Sequence, residues 1–130
     1  MAAGRYSFLI EQGATTDFEL AYKDSDGNPI DLTGYSARMH IREQVADTVP
    51  VLTLTSSIEA DGTGINLSGS SGTNPPTSGT LGIYISSDQT AQLDFEEGYY
   101  DLEIAVVNAG YERVTRVLEG KVKLSKNITR

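Results

Sequence analysis

The chain has 130 residues, a length typical of one domain, and such a domain buries roughly two thirds of the surface that its unfolded chain exposes. It contains no cysteine, which excludes disulfides and thiolate zinc sites, and its formal net charge of −8 disfavours nucleic-acid binding. No apolar run approaches the roughly 20 residues of a membrane span, and Phe8–Ile10 is too short for the core of a signal peptide. We therefore expect one domain over residues 1–130, made in a reducing cytoplasm and binding neither nucleic acid nor membranes.

The first half of the chain alternates apolar and polar residues with the period of two that is typical of strands. Turn sequences containing Asp-Gly and Asn-Pro separate these stretches and favour hairpin-like reversals between them. The predicted strands of this half are Tyr6–Ile10, Phe18–Tyr22, Tyr35–Arg42, Val51–Leu54 and Ile65–Leu67.

A tight turn, Asp-Leu-Thr-Gly, precedes the most regular of these strands. Gly34 permits a positive φ there, so the turn delivers Tyr35 into the strand in a defined register. A slip of one residue would bury Arg38 in place of Met39, so the alternation predicts that Met39 faces inward.

A Ser-, Gly- and Pro-rich stretch, predicted to be a flexible loop over residues 68–79, follows these strands. The loop has two interpretations: a surface connection between strands, or an arm that orders against a neighbouring subunit.

The second half predicts three more strands and the only helical segment. The strands lie around Leu81–Ile85, Leu102–Val106 and Leu118–Leu124, and we expect Leu102, Ile104 and Leu118 to be buried. Between the first two, a short helical turn near residues 87–95 is predicted, with Ser86, Ser87 or Asp88 as its cap and Gly98 as its end. About eight strands, each with one polar face, indicate an all-β antiparallel sandwich that is immunoglobulin-like or jelly-roll-like.

The sequence predicts no enzyme, no cofactor and no metal site. His40 is the single histidine, and its place on the polar face of a strand favours a solvated residue over a catalytic one. The stretch DSDGN lacks the glycine and glutamate spacing of a calcium-binding loop. The carboxylates of DFEEG are adjacent in sequence, whereas a glycosidase needs two that face each other across a cleft.

Four stretches in order, "DLTGY", "ARMHIR", "GYYDLEI" and "RVLEGKVKLSKNITR", resemble a recurrent bacteriophage virion domain. The set is similar to the N-terminal domain of phage baseplate upper proteins and to small tail-associated proteins. It departs from that pattern at Ser125, Lys126 and Asn127, where the family has a Ser-Pro-Glu step. The resemblance covers most of residues 30–130 and is weakest over residues 45–80.

The resemblance implies a structural virion protein of the tail, baseplate or neck that forms a homo-oligomer or a symmetric ring with other virion proteins. Because the chain stops after its final strand, we expect a whole protein that acts as an adaptor, collar or decoration piece. Capsid decoration is the near alternative, and a carbohydrate-binding module that contacts the host surface is the alternative of another class. The expected contact elements are residues 2–10 and the loop, and their named contact residues are Tyr6, Phe8, Ser70, Asn74, Pro75 and Pro76.

Overall fold

The computed structural model describes residues 4–128, which form nine strands, one short α-helix and one 3₁₀ turn at Pro76–Ser78. The strands are β1 (Gly4–Arg5), β2 (Phe8–Glu11), β3 (Thr16–Ala21), β4 (Ser36–Arg42), β5 (Leu52–Thr55), β6 (Gly64–Asn66), β7 (Thr80–Ile85), β8 (Glu97–Asn108) and β9 (Tyr111–Ser125), and the helix is α1 (Ser87–Ala91).

Two sheets enclose one apolar core, so the predicted all-β sandwich is confirmed. The larger sheet has the order β1-β9-β8-β4-β5, with β2 also paired to β9, and the smaller one has the order β3-β7-β6. Side chains from both sheets share the core, and the fully buried ones include Met39, Leu102, Ile65 and Ile83. No helix among residues 4–128 is both long enough and apolar enough to cross a membrane.

The central strands β4, β8 and β9 pair antiparallel in the register that alternation predicts. Met39 lies opposite Leu102 and Ala37 opposite Ile104, and all four side chains are buried. The preceding turn forms as expected, because Gly34 has a φ of 80°. The alternation therefore identifies the inward face of β4 correctly.

The N-terminal stretch departs from the single strand predicted over Tyr6–Ile10. It forms two short strands, β1 and β2, and both pair parallel to β9 at its outer edge. All other strand pairs in the described chain are antiparallel. The N-terminal strands β1 and β2 therefore run in the same direction as β9 along one edge of the larger sheet.

Burial is confirmed for Leu102 and Ile104, but the prediction for Leu118 is only partly correct. The register between β8 and β9 shifts at Leu102 and Glu103, which leaves one extra residue in β9. The extra residue, Val117, is buried with 8% of its surface exposed, and Leu118, opposite Leu102, is half-buried and packs against the core.

The short helix forms where the sequence predicts it and ends earlier than expected. Ser86 is the cap, and its hydroxyl oxygen accepts a hydrogen bond from the Gln89 amide at 3.2 Å. The prediction that Gly98 ends the helix is wrong, because α1 stops at Ala91 and Gly98 belongs to β8. A Cβ on Gly98 would lie 2.7 Å from the Arg42 carbonyl oxygen, so close strand packing explains this glycine.

Candidate assembly surfaces

The two contact elements predicted from the sequence both lie on the surface, but they are separate from each other. Ala2 and Ala3, at the start of the first element, lie outside the described residues. The rest of that element packs beside β9, whereas the loop over residues 68–79 joins β6 to β7 in the smaller sheet.

Contacts of Tyr6 and Phe8 hold the N-terminal strands against the rest of the domain. The Phe8 ring centroid lies 5.0 Å from that of Phe18 and 4.9 Å from that of Tyr100, and Tyr6 stacks on Phe8 at 6.4 Å. The Tyr100 hydroxyl donates to the Tyr6 carbonyl oxygen at 2.6 Å, and burial raises the pKa of Tyr100, which keeps this donor protonated. Tyr6 remains 43% exposed while Phe8 is half-buried, so Tyr6 offers more of its surface to a partner.

Hydrogen bonds to separate elements hold the loop to its own domain. The Ser70 amide donates to the Glu19 carboxylate at 2.8 Å, which links the loop to β3. The Pro76 carbonyl oxygen accepts the amide of Leu32, a fully buried residue of the turn before β4, at 3.0 Å. The loop therefore folds back on the sandwich along part of its length.

The remaining predicted loop residues differ in how far they face solvent. Asn74 is half-buried, and its side-chain amide donates to the Thr80 hydroxyl at 3.3 Å. Pro75 is exposed, and its carbonyl oxygen accepts a hydrogen bond from the Ser78 hydroxyl at 2.8 Å. Ser70 and Pro76 are exposed as well, so the loop presents three of its four predicted contact residues to solvent.

A charged surface that the sequence did not single out covers the outer face of the larger sheet. Adjacent strands place its side chains in rows across the sheet: Arg38, Glu103 and Arg116; then His40, Asp101, Glu119 and Arg5; then Arg42, Tyr99 and Lys121. Arg38 forms an ion pair with Glu103 inside the first row at 2.9 Å, and Arg116 reaches Asp101 in the second row at 3.5 Å. The Glu103 contact raises the pKa of Arg38 above its ordinary value.

A depression of about 530 Å³ lies in this charged face. The ring of Tyr99, which is 39% exposed, forms part of its wall beside Arg42, Asp101 and Lys121. The Lys121 ammonium sits 6.0 Å from the ring centroid of Tyr99. An exposed aromatic ring among hydrogen-bonding side chains is chemically suited to a polar ligand.

His40 lies in the wall of this depression, half-buried. An Arg42 guanidinium nitrogen lies 3.2 Å from His40 Nδ1, and because arginine can only donate, this contact is a hydrogen bond in the tautomer whose Nδ1 is unprotonated. Within residues 4–128, no group of three or more His, Asp or Glu side chains could hold a metal ion.

The Asp61 carboxylate joins the connection between β5 and β6 to the start of α1. It accepts hydrogen bonds from the Thr63 amide at 2.9 Å, the Ser86 hydroxyl at 2.7 Å and the Gln89 side-chain amide at 3.2 Å. These donors, the Thr63 amide foremost, lower the pKa of Asp61 to about 2. Asp61 is thus a structural acceptor.

The far end of the β8–β9 hairpin is a second surface that sequence reasoning missed. It carries exposed apolar side chains: Val107 is 69% exposed, Tyr111 80% and Val114 42%. The sequence does not show how far each neighbouring strand extends along the hairpin.

Comparison with known proteins gives no family for this chain. No protein-family model matches it, and no curated protein matches it. Among solved structures it is similar to AggA, the major subunit of aggregative adherence fimbriae type I from Escherichia coli. The two chains are 9% identical with a TM-score of 0.31, over 93% of this chain and 89% of the fimbrial subunit. A likeness at this level carries no argument about function.

Proposed function

We propose that this chain is a structural component of a bacteriophage virion, an adaptor of the tail, baseplate or neck that assembles symmetrically with other virion proteins. The observation that carries the proposal is where the family-like stretches lie in the fold. "DLTGY" forms the turn before β4, and the other three stretches form β4, β8 and β9, which are adjacent in the larger sheet. Because the four stretches form adjacent parts of one sheet, they support a common domain in this chain and in the virion proteins better than stretches scattered over separate elements would.

The surface supports an assembly role. Apolar side chains stand exposed at the end of the β8–β9 hairpin, and Tyr6 stands exposed beside the N-terminal strands. Exposed apolar groups that lie together are a feature of contact sites between proteins, and a ring would repeat each modest contact around its axis.

The test is to purify particles made by the phage or prophage that carries this gene and to separate their heads from their tails. Detection of the chain by mass spectrometry in the tail fraction, at a fixed ratio to known tail proteins, is the expected result. Its absence from purified particles would overturn the proposal. Its presence in the head fraction would instead establish capsid decoration.

A second candidate function, carbohydrate binding at the host surface, is favoured by the depression beside Tyr99. Sugar ligands pack on exposed aromatic rings and hydrogen-bond to charged side chains around them. A glycan array probed with the parent and with Tyr99→Ala tests this candidate. Binding that the parent shows and the variant loses would favour it, and no binding by the parent would remove it.

A further inference from the structure

The β8–β9 hairpin extends beyond the strands on either side of it. β4 pairs with β8 only as far as Ser36 opposite Ala105, and β1 meets β9 first at Leu118, opposite Gly4. Among residues 4–128, none pairs with the outer edge of β9 over residues 111–117. A strand edge that no described residue pairs with is a template for another strand.

The hairpin turn determines which backbone groups face that edge. Ala109 and Gly110 form a two-residue turn with φ values of 55° and 84°, so Asn108 and Tyr111 close the hairpin as a hydrogen-bonded pair. The pairing alternates along an antiparallel ladder, so the amide and carbonyl of Glu112 point away from β8. The same holds for Val114 and Arg116, two and four residues further on.

We propose that this edge pairs antiparallel with the same edge of a second copy of this chain, about a two-fold axis at Val114. The proposal deepens the assembly function above and rests on it for its biological role. In this register Val114 lies opposite Val114 of the second copy, and Glu112 lies opposite Arg116 on both sides of the axis. Each of these three pairs exchanges two backbone hydrogen bonds, about six in all.

Charge complementarity selects this register over its neighbours. Moving the axis to Glu112, Arg113 or Arg116 places that residue opposite its own copy, so that like charges face each other. Moving it to Thr115 separates Glu112 from Arg116 and requires an edge position at Leu118, where β1 already pairs. The two-fold register at Val114 is the one that joins opposite charges twice.

Side-chain exposure agrees with the proposed contact. Val114 and Val107 lie on the same face of the hairpin, diagonal to each other, and are 42% and 69% exposed. The second copy would bring its own Val114 against them on this face. The Arg116 side chain is 51% exposed, and its ion pairs within the chain are long, at 3.5 Å to Asp101 and 4.0 Å to Glu119. It can therefore turn toward the new partner at little cost.

The experiment is sedimentation equilibrium of the purified full chain over a range of concentrations. The parent should form a dimer, and Glu112→Arg should weaken it about tenfold or more, because like charges then face each other twice. Arg116→Glu should weaken it similarly, and the double variant should restore it. Asp26→Arg, in an exposed turn away from the hairpin, makes the same change of net charge as Glu112→Arg and should leave the dimer constant unchanged.

A second variant tests the backbone directly. Val114→Pro removes one amide that faces the free edge, so it should abolish the dimer while circular dichroism still shows the parent fold. A monomeric parent would overturn the proposal. It would mean that the charged side chains of Glu112 and Arg116 prevent this edge from pairing with another strand. A dimer that survives both Glu112→Arg and Val114→Pro would also overturn it, as would a double variant that fails to restore association. These outcomes are independent of whether the chain is found in virions, so the two proposals can fail separately.

Discussion

At the scale of single residues, Gly120 explains how the N-terminal segment reaches β9. A Cβ on Gly120 would collide with the Tyr6 carbonyl oxygen, the atom that accepts the Tyr100 hydroxyl hydrogen bond. A glycine in the middle of a strand often marks such a close approach of another backbone.

We therefore predict that Gly120→Ala destabilises the protein by about 1–3 kcal/mol, because the Tyr6 segment must move and its hydrogen bonds are lost. Gly4→Ala is the matched control, since a Cβ there would meet Leu118 at an ordinary 3.4 Å. Urea unfolding of both variants measures the difference. Equal stabilities would show that the segment does not approach β9 as closely as described.

The second residue-scale prediction concerns acid. Because the folded pKa of Asp61 is about 2, below its ordinary value of 3.8, its carboxylate contributes stability above about pH 4 that is lost as the pH falls toward 2. Asp61→Asn should lower the melting temperature by a few degrees at pH 7, and the gap to the parent should narrow between pH 4 and pH 2. Asp26→Asn, in an exposed turn, should change the melting temperature little across the same pH range. A gap that stays constant with pH would contradict the hydrogen bonds assigned to Asp61.

At the scale of elements, β8 has a buried part and an exposed end. A charged substitution should destabilise the protein strongly in the buried part and only slightly at the exposed end. Ile104→Asp places an unpaired carboxylate in the core, where Ile104 is 2% exposed, and should cost several kcal/mol. Val107→Asp, three residues later at a position 69% exposed in the single chain, should cost the monomer less than about 0.5 kcal/mol. Thermal melts of the two variants check the register, and similar losses in both would contradict it.

The loop over residues 68–79 is the other element with a specific expectation. The Ser70 amide is bonded to Glu19, and the Leu32 amide is bonded to Pro76. Glu19→Ala should therefore speed hydrogen exchange at the Ser70 amide by about tenfold, while exchange at the Leu32 amide stays slow. Measurement of both amides by nuclear magnetic resonance provides the control within one sample. Fast exchange at Ser70 already in the parent would show that the loop does not stay bound to β3.

At the scale of the whole molecule, one core contains side chains of both sheets, so the sheets should unfold together. Far-ultraviolet circular dichroism should show mainly strand and give the same urea midpoint as tyrosine fluorescence. The seven tyrosines include the buried Tyr100, and the chain has no tryptophan to mask them. An earlier transition in the tyrosine signal would mean that the aromatic cluster around Tyr6 unfolds separately.

The strands and their inward faces are the part of this fold that the sequence predicts well. Alternation in β4 identifies Met39 and Ile41 as buried, and the cap of the short helix is Ser86, one of the three predicted candidates. The buried Val117 is where such reasoning fails, because the bulge adds an inward residue before Leu118 without any local signal. Among the residues predicted to contact a partner, Tyr6 is exposed, whereas Phe8 and Asn74 are half-buried.

The sequence by itself determined which stretches are strands, which side of each strand is apolar, and where the chain turns. These properties depend on neighbouring residues, so the period of two and the turn residues report them directly. Only the tertiary structure decided that β1 and β2 run parallel to β9, that the loop binds Glu19, and that the β8–β9 hairpin outreaches its neighbours. Each of these depends on segments far apart in sequence that meet only when the sandwich closes, and no local pattern records where one strand stops beside another.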